Sequence, residues 1–288
     1  MDGVIGLDVG GSGIRAGFFQ DGALTNTRRA PLPSRSVDAV VGLATELIGD
    51  LPRAEALGVA VPGFAHHGRI ERSPNFPEWH DVPFATLLQD ELQIPVHLEN
   101  DASAAAWGAY VQRGRTEDLV LLTLGTGVGG GIVSGGQLVR GHVGCGAELG
   151  HVYVGGKEQC GCGAVGCLEA WISTSGFKRR AAAKGVILNE GRELWQACRN
   201  QEAWAQELTQ DAGTALGRAM AIFVNMLNPE VILIAGGLTE GQAYLEPTAR
   251  SAFEQHAIST ARDSVKIVWS GGGAEQYSLL GVADLAGK

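Results

Sequence analysis

Three cysteines fall within eight residues, as Cys160-Gly161-Cys162 and Cys167, and His151 stands nine residues before the first of them. Three thiolates and one imidazole complete a closed tetrahedral zinc set. An intracellular cluster of this kind binds metal more often than it forms disulfides. Free buried thiols are the competing reading, because Cys-x-Cys departs from the commoner Cys-x₂₋₄-Cys spacing. Cys145 and Cys198 have no partner at ligand spacing and are expected to be small buried residues. Glu148 lies three residues before His151, and Glu169 two residues after Cys167. Folding around zinc would bring both carboxylates near one imidazole, where they suit sugar hydroxyls as acceptors; either glutamate could equally be a solvated surface charge.

A second candidate is Asn100-Asp101, where the apolar stretch Val96-His97-Leu98 runs through Glu99 into Ala102-Ser103-Ala104-Ala105-Ala106-Trp107. Asn and Asp at such a strand-to-helix corner are favoured helix caps, and taken alone the capping role comes first. The chemical alternative has Asp101 accept a proton from a substrate hydroxyl while Asn100 orients it, as phosphoryl transfer to an alcohol requires. Two glycine-rich turns complete the set, Gly10-Gly11-Ser12-Gly13 and Gly125-Thr126-Gly127-Val128-Gly129-Gly130-Gly131. Glycine hairpins let backbone N–H groups converge on an anion, usually a phosphate. Either could be a plain tight turn, but two in matching positions favour ligand binding. The second also satisfies G-x-G-x-x-G, yet strand and turn follow it where a dinucleotide site needs a helix, and no Walker A sequence exists. Asp8 ends an apolar strand, a placement that demands a partner or a nearby cation; Mg²⁺ bound through water would supply one.

These groups must be positioned by strands and helices that alternate along the chain, the pattern of α/β layers. Residues 4–19 read as strand, glycine turn and strand, and residues 119–134 repeat the plan, which suggests two related lobes. Further strands are expected at 56–61, 94–98 and 231–235. A helix is expected over about 205–226, where Leu208, Ala212, Ala215, Leu216, Ala219, Ile222, Phe223 and Met226 form one stripe before Asn228-Pro229. The segment 155–166 is too poor in apolar residues to build a core and needs another staple, while 185–203 is expected to be irregular or helical surface.

The 288 residues suffice for two lobes, and 45% hydrophobic with 18% charged residues, without an apolar run of 18, excludes disorder and a membrane span. A net charge of −9 argues against nucleic acid as a partner. The chain opens Met1-Asp2-Gly3 and enters a strand at Val4 without a secretory leader, so the cytoplasm is the expected location.

Together these segments resemble the ROK family of sugar kinases and repressors over nearly the full length. Asp8-Val-Gly-Gly-Ser-Gly-Ile-Arg15 is similar to the family's first phosphate motif, with Ser12 where Thr is usual. Glu99-Asn-Asp-Ala102 resembles its catalytic pair, and Leu124-Gly-Thr-Gly-Val-Gly-Gly-Gly131 its second phosphate motif. Glu148-Leu-Gly-His151 resembles the E-x-G-H motif, and Cys160-Gly-Cys-Gly-Ala-Val-Gly-Cys-Leu-Glu169 the zinc and sugar signature. Ser173-Thr174-Ser175-Gly176 is less regular than the Ala-Ser-Gly usual there.

The resemblance implies an actin-like (ribonuclease H-like) two-lobe α/β fold with a cleft between the lobes. The first lobe would span 1–106, with a C-terminal helix at about 273–288 packing back on it, and the second 107–272 with the zinc segment. Asp101 would be the general base. Gly63, Asn75, Asn100, Asp101, Glu148, His151 and Glu169 would contact the sugar. Asp8, Gly10, Gly11, Ser12, Gly13, Arg15, Gly125, Thr126, Gly127, Gly236 and Gly237 would bind the nucleotide. His151, Cys160, Cys162 and Cys167 would hold a structural zinc, with Mg²⁺ accompanying ATP.

A cytoplasmic homodimer phosphorylating glucose is the expectation, since the second glycine motif and Asn-Phe-Pro-Glu-Trp look most like the glucokinase branch. N-acetylmannosamine and N-acetylglucosamine are the alternative acceptors. A sugar-sensing regulator would need room for a helix-turn-helix before Val4, and an actin-like chaperone or filament ATPase would not need the cysteine cluster.

Overall fold

Val4–Val9 (β1) is buried along almost its whole length, as befits an apolar run inside a sheet. It pairs antiparallel with Gly13–Gln20 (β2), so that Asp8 faces Arg15 across the ladder, and β2 in turn pairs with Ala23–Pro31 (β3). The helix Val37–Gly49 (α1) leads to Ala56–Val61 (β4), parallel to β1. A three-stranded antiparallel excursion follows, Phe64–His66 (β5), Arg69–Arg72 (β6) and His80–Val82 (β7). Then come Phe84–Leu92 (α2), Val96–Asn100 (β8), parallel to β4, and Asp101–Gln112 (α3). The computed structural model describes residues 3–288; Met1 and Asp2 lie outside the described residues.

The same plan recurs. Leu119–Leu124 (β9), Val128–Ser134 (β10) and Gln137–Leu138 (β11) carry the second glycine turn, as expected of residues 119–134. Helices Leu168–Ile172 (α4), Thr174–Ala183 (α5), Gly191–Arg199 (α6) and Ala203–Leu227 (α7) lead to Val231–Ala235 (β12). Gln242–His256 (α8), Ser259–Ser264 (α9), Lys266–Trp269 (β13) and Ala274–Ala286 (α10) close the chain. The two five-stranded sheets run β3-β2-β1-β4-β8 and β11-β10-β9-β12-β13, which is one strand order used twice. This is the duplicated actin-like α/β architecture.

The chain divides into two compact units. The first takes the residues up to Thr116 with Gly131–Ala147 and Ala274–Lys288, and the second Glu117–Gly130 with Glu148–Gly273. In the first, Leu7, Val9, Val40, Leu57, Val59, Phe76, Trp79 and Phe84 share one core beneath β1 and β4. Helix α10 lies against α3 and the sheet at backbone distance. A Cβ on Gly281 would stand 1.8 Å from the Ala104 carbonyl oxygen, and one on Gly58 1.9 Å from that of Val282. Asp284 on α10, itself buried, accepts hydrogen bonds from Trp107 Nε1 at 2.9 Å and Arg115 Nη2 at 2.5 Å, which fixes the end of that helix.

In the second unit, α7 buries Leu208, Ala212, Ala215, Leu216, Ala219 and Phe223 along one face, while β12 is buried at all five residues between two parallel neighbours. Three local expectations differ from the structure. The strand expected at 94–98 is Val96–Asn100, because Pro95 has no N–H for the ladder and contributes only its carbonyl, which accepts from Leu57 N at 2.9 Å. Within 185–203 the chain is irregular up to Glu190 and then helical, as expected, but α6 is only half surface, burying Leu194, Trp195, Ala197 and Cys198 along one face. Cys145 is only half-buried, being held on a loop, whereas Cys198 is buried. Among the described residues, no helix is long and apolar enough to cross a membrane.

Candidate functional site

In the first unit the candidate side chains gather where β1, β4 and β8 end. Asn100 caps α3: its Oδ1 accepts from Ser103 N at 2.9 Å, and its Nδ2 donates to the Gly63 carbonyl at 3.0 Å. Gly63 has φ +109°, and a Cβ there would meet the Arg72 carbonyl oxygen at 2.3 Å, so the turn that presents its carbonyl to Asn100 requires glycine. Asp101 opens α3, with Oδ1 accepting from Ala102 N at 2.8 Å. The unpaired N–H groups of a first helical turn favour a charged carboxylate in that position.

The first glycine turn closes with Gly10 N donating to the Gly13 carbonyl at 2.9 Å. Asn75 lies against it, since a Cβ on Gly11 would stand 2.7 Å from Asn75 Nδ2. Ser12 is exposed at the tip. Asp8, Gly10, Ser12, Gly13, Arg15, Arg29 and Glu275 line a cavity of about 360 Å³ beside this turn. Burial and the charge of Asp101 push the Asp8 carboxyl up to about 7, against the pull of Arg15. Arg15 forms an ion pair with Glu275, and Ser278 Oγ donates to Asp8 Oδ1 at 3.4 Å, both from α10. A buried carboxyl that feels the charge of Asp101, beside a glycine turn and an arginine, suits a divalent cation carried by phosphates.

In the second unit, the ligand atoms of His151, Cys160, Cys162 and Cys167 all lie within 4.8 Å of one another. Cys160 Sγ is 3.6 Å from His151 Nδ1, and Cys162 Sγ is 3.8 Å from Cys167 Sγ. With Zn–S near 2.3 Å and Zn–N near 2.0 Å, a tetrahedral site sets its ligands about 3.5–3.8 Å apart, so the donor set fits zinc in chemistry and spacing. Burial pushes the Cys160 thiol up to about 12 and also raises Cys167, whereas a backbone hydrogen bond from Ala164 lowers Cys162; a bound cation would favour the thiolate form of all three.

Glu169 reaches from α4 in two directions. Its Oε2 accepts from Val128 N at 3.0 Å, on the second glycine turn, and its Oε1 lies 3.5 Å from Cys160 Sγ. Gly127 has no room for a Cβ, which would meet Glu169 Oε2 at 2.5 Å. Glu148 and His151 bracket a short 3-10 turn, His151 N donating to the Glu148 carbonyl at 3.0 Å. Desolvation and the charge of Glu169 raise the Glu148 carboxyl, against His151. The turn Gly125-Thr126-Gly127 accepts backbone hydrogen bonds from Thr174 and Ser175, at 2.9 and 3.2 Å, so it rests on the start of α5. Gly236 follows β12 with φ +101°, its N donating to the Gly271 carbonyl at 3.1 Å, and Gly237 next to it is exposed.

Several participants escape sequence reasoning. Glu99 is buried beside the Asn100-Asp101 pair, accepting from Arg140 Nε at 2.7 Å and Asn100 N at 3.1 Å. Burial would raise its carboxyl, but the facing His97 ring, Arg140 and the Asn100 N–H hold it below the usual range. A glutamate ending an apolar strand was the available signal. Arg29, Glu275 and Ser278 carry no local signal, because each reaches the Asp8 region only through strand pairing or the return of α10.

The ROK family profile matches residues 4–288. A glucokinase of Thermotoga maritima is 32% identical, covering 98% of this chain and 96% of the relative. The crystal structure of a ROK hexokinase from Thermus thermophilus superposes with TM-score 0.87 at 32% identity, covering 98% of this chain and 97% of that one. A ROK family glucokinase from Streptomyces griseus, in complex with glucose and AMPPNP, does so with TM-score 0.80 at 27% identity, covering 98% of each chain. With its duplicated sheets, two glycine turns and His-Cys₃ cluster, the chain belongs to the ROK family.

Proposed function

We propose that this protein transfers the γ-phosphoryl group of ATP to a hexose, converting glucose to glucose 6-phosphate in the cytoplasm. The observation that carries the reading is the grouping in the first unit. Asp101, at the start of α3, is near enough to Asp8 for its charge to raise that carboxyl, and Asn75 abuts the glycine turn that Asp8 precedes. A proton acceptor and a phosphate-binding turn are thereby brought together, which is what phosphoryl transfer to an alcohol requires. The full-length likeness to a glucokinase and to a glucose-bound structure supports glucose as acceptor.

In this reading Asp101 takes the proton of the 6-hydroxyl as its oxygen attacks the terminal phosphorus. Asn100, held by Gly63, and Asn75 orient the sugar, while Glu148 and Glu169 accept hydrogen bonds from its remaining hydroxyls and the His151 ring N–H donates one to a hydroxyl oxygen. The N–H groups of Gly10–Gly13 and Gly125–Gly127, with Arg15, cradle the phosphates. Gly236-Gly237 lets the adenosine approach the backbone. Mg²⁺, reached from Asp8 through water, would neutralise charge on the donor phosphates. Zinc is structural: it would hold His151 by Nδ1, the nitrogen facing Cys160, leaving Nε2 for a sugar hydroxyl. The family resemblance supports a homodimer.

The test is ADP release with ATP and Mg²⁺ across glucose, mannose, fructose, N-acetylmannosamine and N-acetylglucosamine. Preferred turnover of glucose is expected. Preference for an N-acetylhexosamine would reassign the acceptor, and sugar binding without turnover of any sugar would point instead to a sensor.

A further inference from the structure

The His-Cys₃ segment has almost no core of its own, yet its two limbs are fastened from beneath. Residues 152–154 and 166–168 pair, Val154 N donating to the Gly166 carbonyl at 2.8 Å and Leu168 N to that of Val152 at 3.0 Å. His151 precedes the first limb and Cys167 lies within the second, so the spacing of these two ligands follows from how the limbs are held. Below them is Arg180 of α5, buried and ringed by partners. Its Nη2 donates to Asp211 Oδ2 at 2.6 Å, and its Nη1 to the carbonyls of Trp171 and Leu208 at 3.3 and 3.2 Å. The guanidinium also stacks on the Trp171 ring, 4.6 Å from its centre.

Each contact has a consequence for the segment above. The Trp171 carbonyl lies in the last turn of the five-residue helix α4, where carbonyls lack helical partners, so Arg180 satisfies that end with a cation. Helix α4 directly follows Cys167 and carries Glu169. Trp171, held by the stack, donates from Nε1 to the Gly155 carbonyl at 3.1 Å, next to the first limb. Arg218, two turns along α7 from Asp211, donates to the Val154 carbonyl at 3.2 Å. The chain Asp211–Arg180–Trp171–Gly155 thus joins α7 to both limbs. A guanidinium this deep is expensive to desolvate, and an apolar side chain could fill the same space; what only the guanidinium does is grip Trp171 and the end of α4 together.

We infer that Arg180 is a positioning residue for the metal segment: through Trp171 it holds α4 and the limb after His151 at the separation at which His151, Cys160, Cys162 and Cys167 share one ion. The inference rests on the zinc and sugar roles proposed above, but its main readout, metal affinity, does not depend on kinase activity.

The experiment measures zinc transfer from the purified full-length protein to a chromophoric chelator, for the parent, Arg180→Met, Arg180→Lys and Trp171→Phe. Loss of support beneath ligating groups commonly weakens metal binding about 10–100-fold. Arg180→Met is expected to lose at least about tenfold in zinc affinity, with Arg180→Lys intermediate. Trp171→Phe, which keeps a ring to stack on but lacks the N–H, is expected to lose several-fold. The KM for glucose should rise in step while kcat stays within about threefold, and saturating zinc should restore KM, which a general loss of stability would not produce. An Arg180→Met protein that melts cooperatively and holds zinc like the parent overturns the inference. If that variant does not fold, parental zinc affinity in both Arg180→Lys and Trp171→Phe overturns it equally.

Discussion

Replacing Asp8 by Asn should stabilise the ligand-free protein at alkaline pH while impairing its use of nucleotide. Burial, then Asp101, lift the Asp8 carboxyl from 3.8 to about 7, with Arg15 pulling the other way. A raised carboxyl means that the folded state binds its proton more tightly than the unfolded chain does. Stability therefore falls as pH rises between those two values and is level above about 7. At ~1.4 kcal/mol per pH unit, the whole penalty approaches about 4 kcal/mol, of which about 2.5 kcal/mol develops between pH 5 and pH 8. The amide of the variant cannot ionise and escapes this loss, as expected where a functional group is held against its folding preference.

The assay is urea denaturation of parent and Asp8→Asn at intervals from pH 5 to pH 8, without nucleotide or Mg²⁺. The difference in stability between them should shift by about 2.5 kcal/mol in favour of the variant, titrating groups remote from Asp8 cancelling in the comparison. Mg²⁺ and ATP should recover stability in the parent more than in the variant, because they select the ionised carboxylate. Parallel pH profiles for the two proteins would refute the reasoning, since Asp8 would then titrate alike in the folded and unfolded chains.

Asp101→Asn should leave the dissociation constant for glucose nearly unchanged while lowering turnover about 10²–10⁴-fold, as removal of a general base does; calorimetry with steady-state kinetics checks both, and near-normal turnover would remove Asp101 from that role. Cys162→Ala should lose zinc and weaken sugar binding with most of the first unit still folded, and a full equivalent of zinc by elemental analysis with parental sugar affinity would contradict it. Gly281→Ala should destabilise the protein by about 3 kcal/mol in urea titration, the upper range for overpacking, because the new methyl would meet the Ala104 carbonyl oxygen at 1.8 Å and neither backbone can retreat. A loss below about 0.5 kcal/mol would show that α10 is free to shift away from α3.

What the sequence determined by itself is what short-range chemistry dictates. Asn100 and Asp101 are legible because a cap acts within one turn of helix, with Asn100 Oδ1 capping while Asp101 opens α3. The duplicated plan is legible because glycine turns between apolar strands must fold back, and the α7 stripe because helical period and burial agree over 25 residues. The His-Cys₃ set is legible by composition, since four such donors near one another in sequence have few other uses. Tertiary structure alone decided how Asp8 is surrounded. Ser278 and Glu275 reach its neighbourhood because α10 returns from the far end of the chain on glycine contacts, and the Gly11–Asn75 contact depends on the β5–β7 excursion. It also decided that Arg140 pairs with buried Glu99 and that Arg180 grips Trp171. Local pattern reports which face of an element is apolar; which distant charge is buried against it depends on how elements pack, and one sequence does not state those pairings.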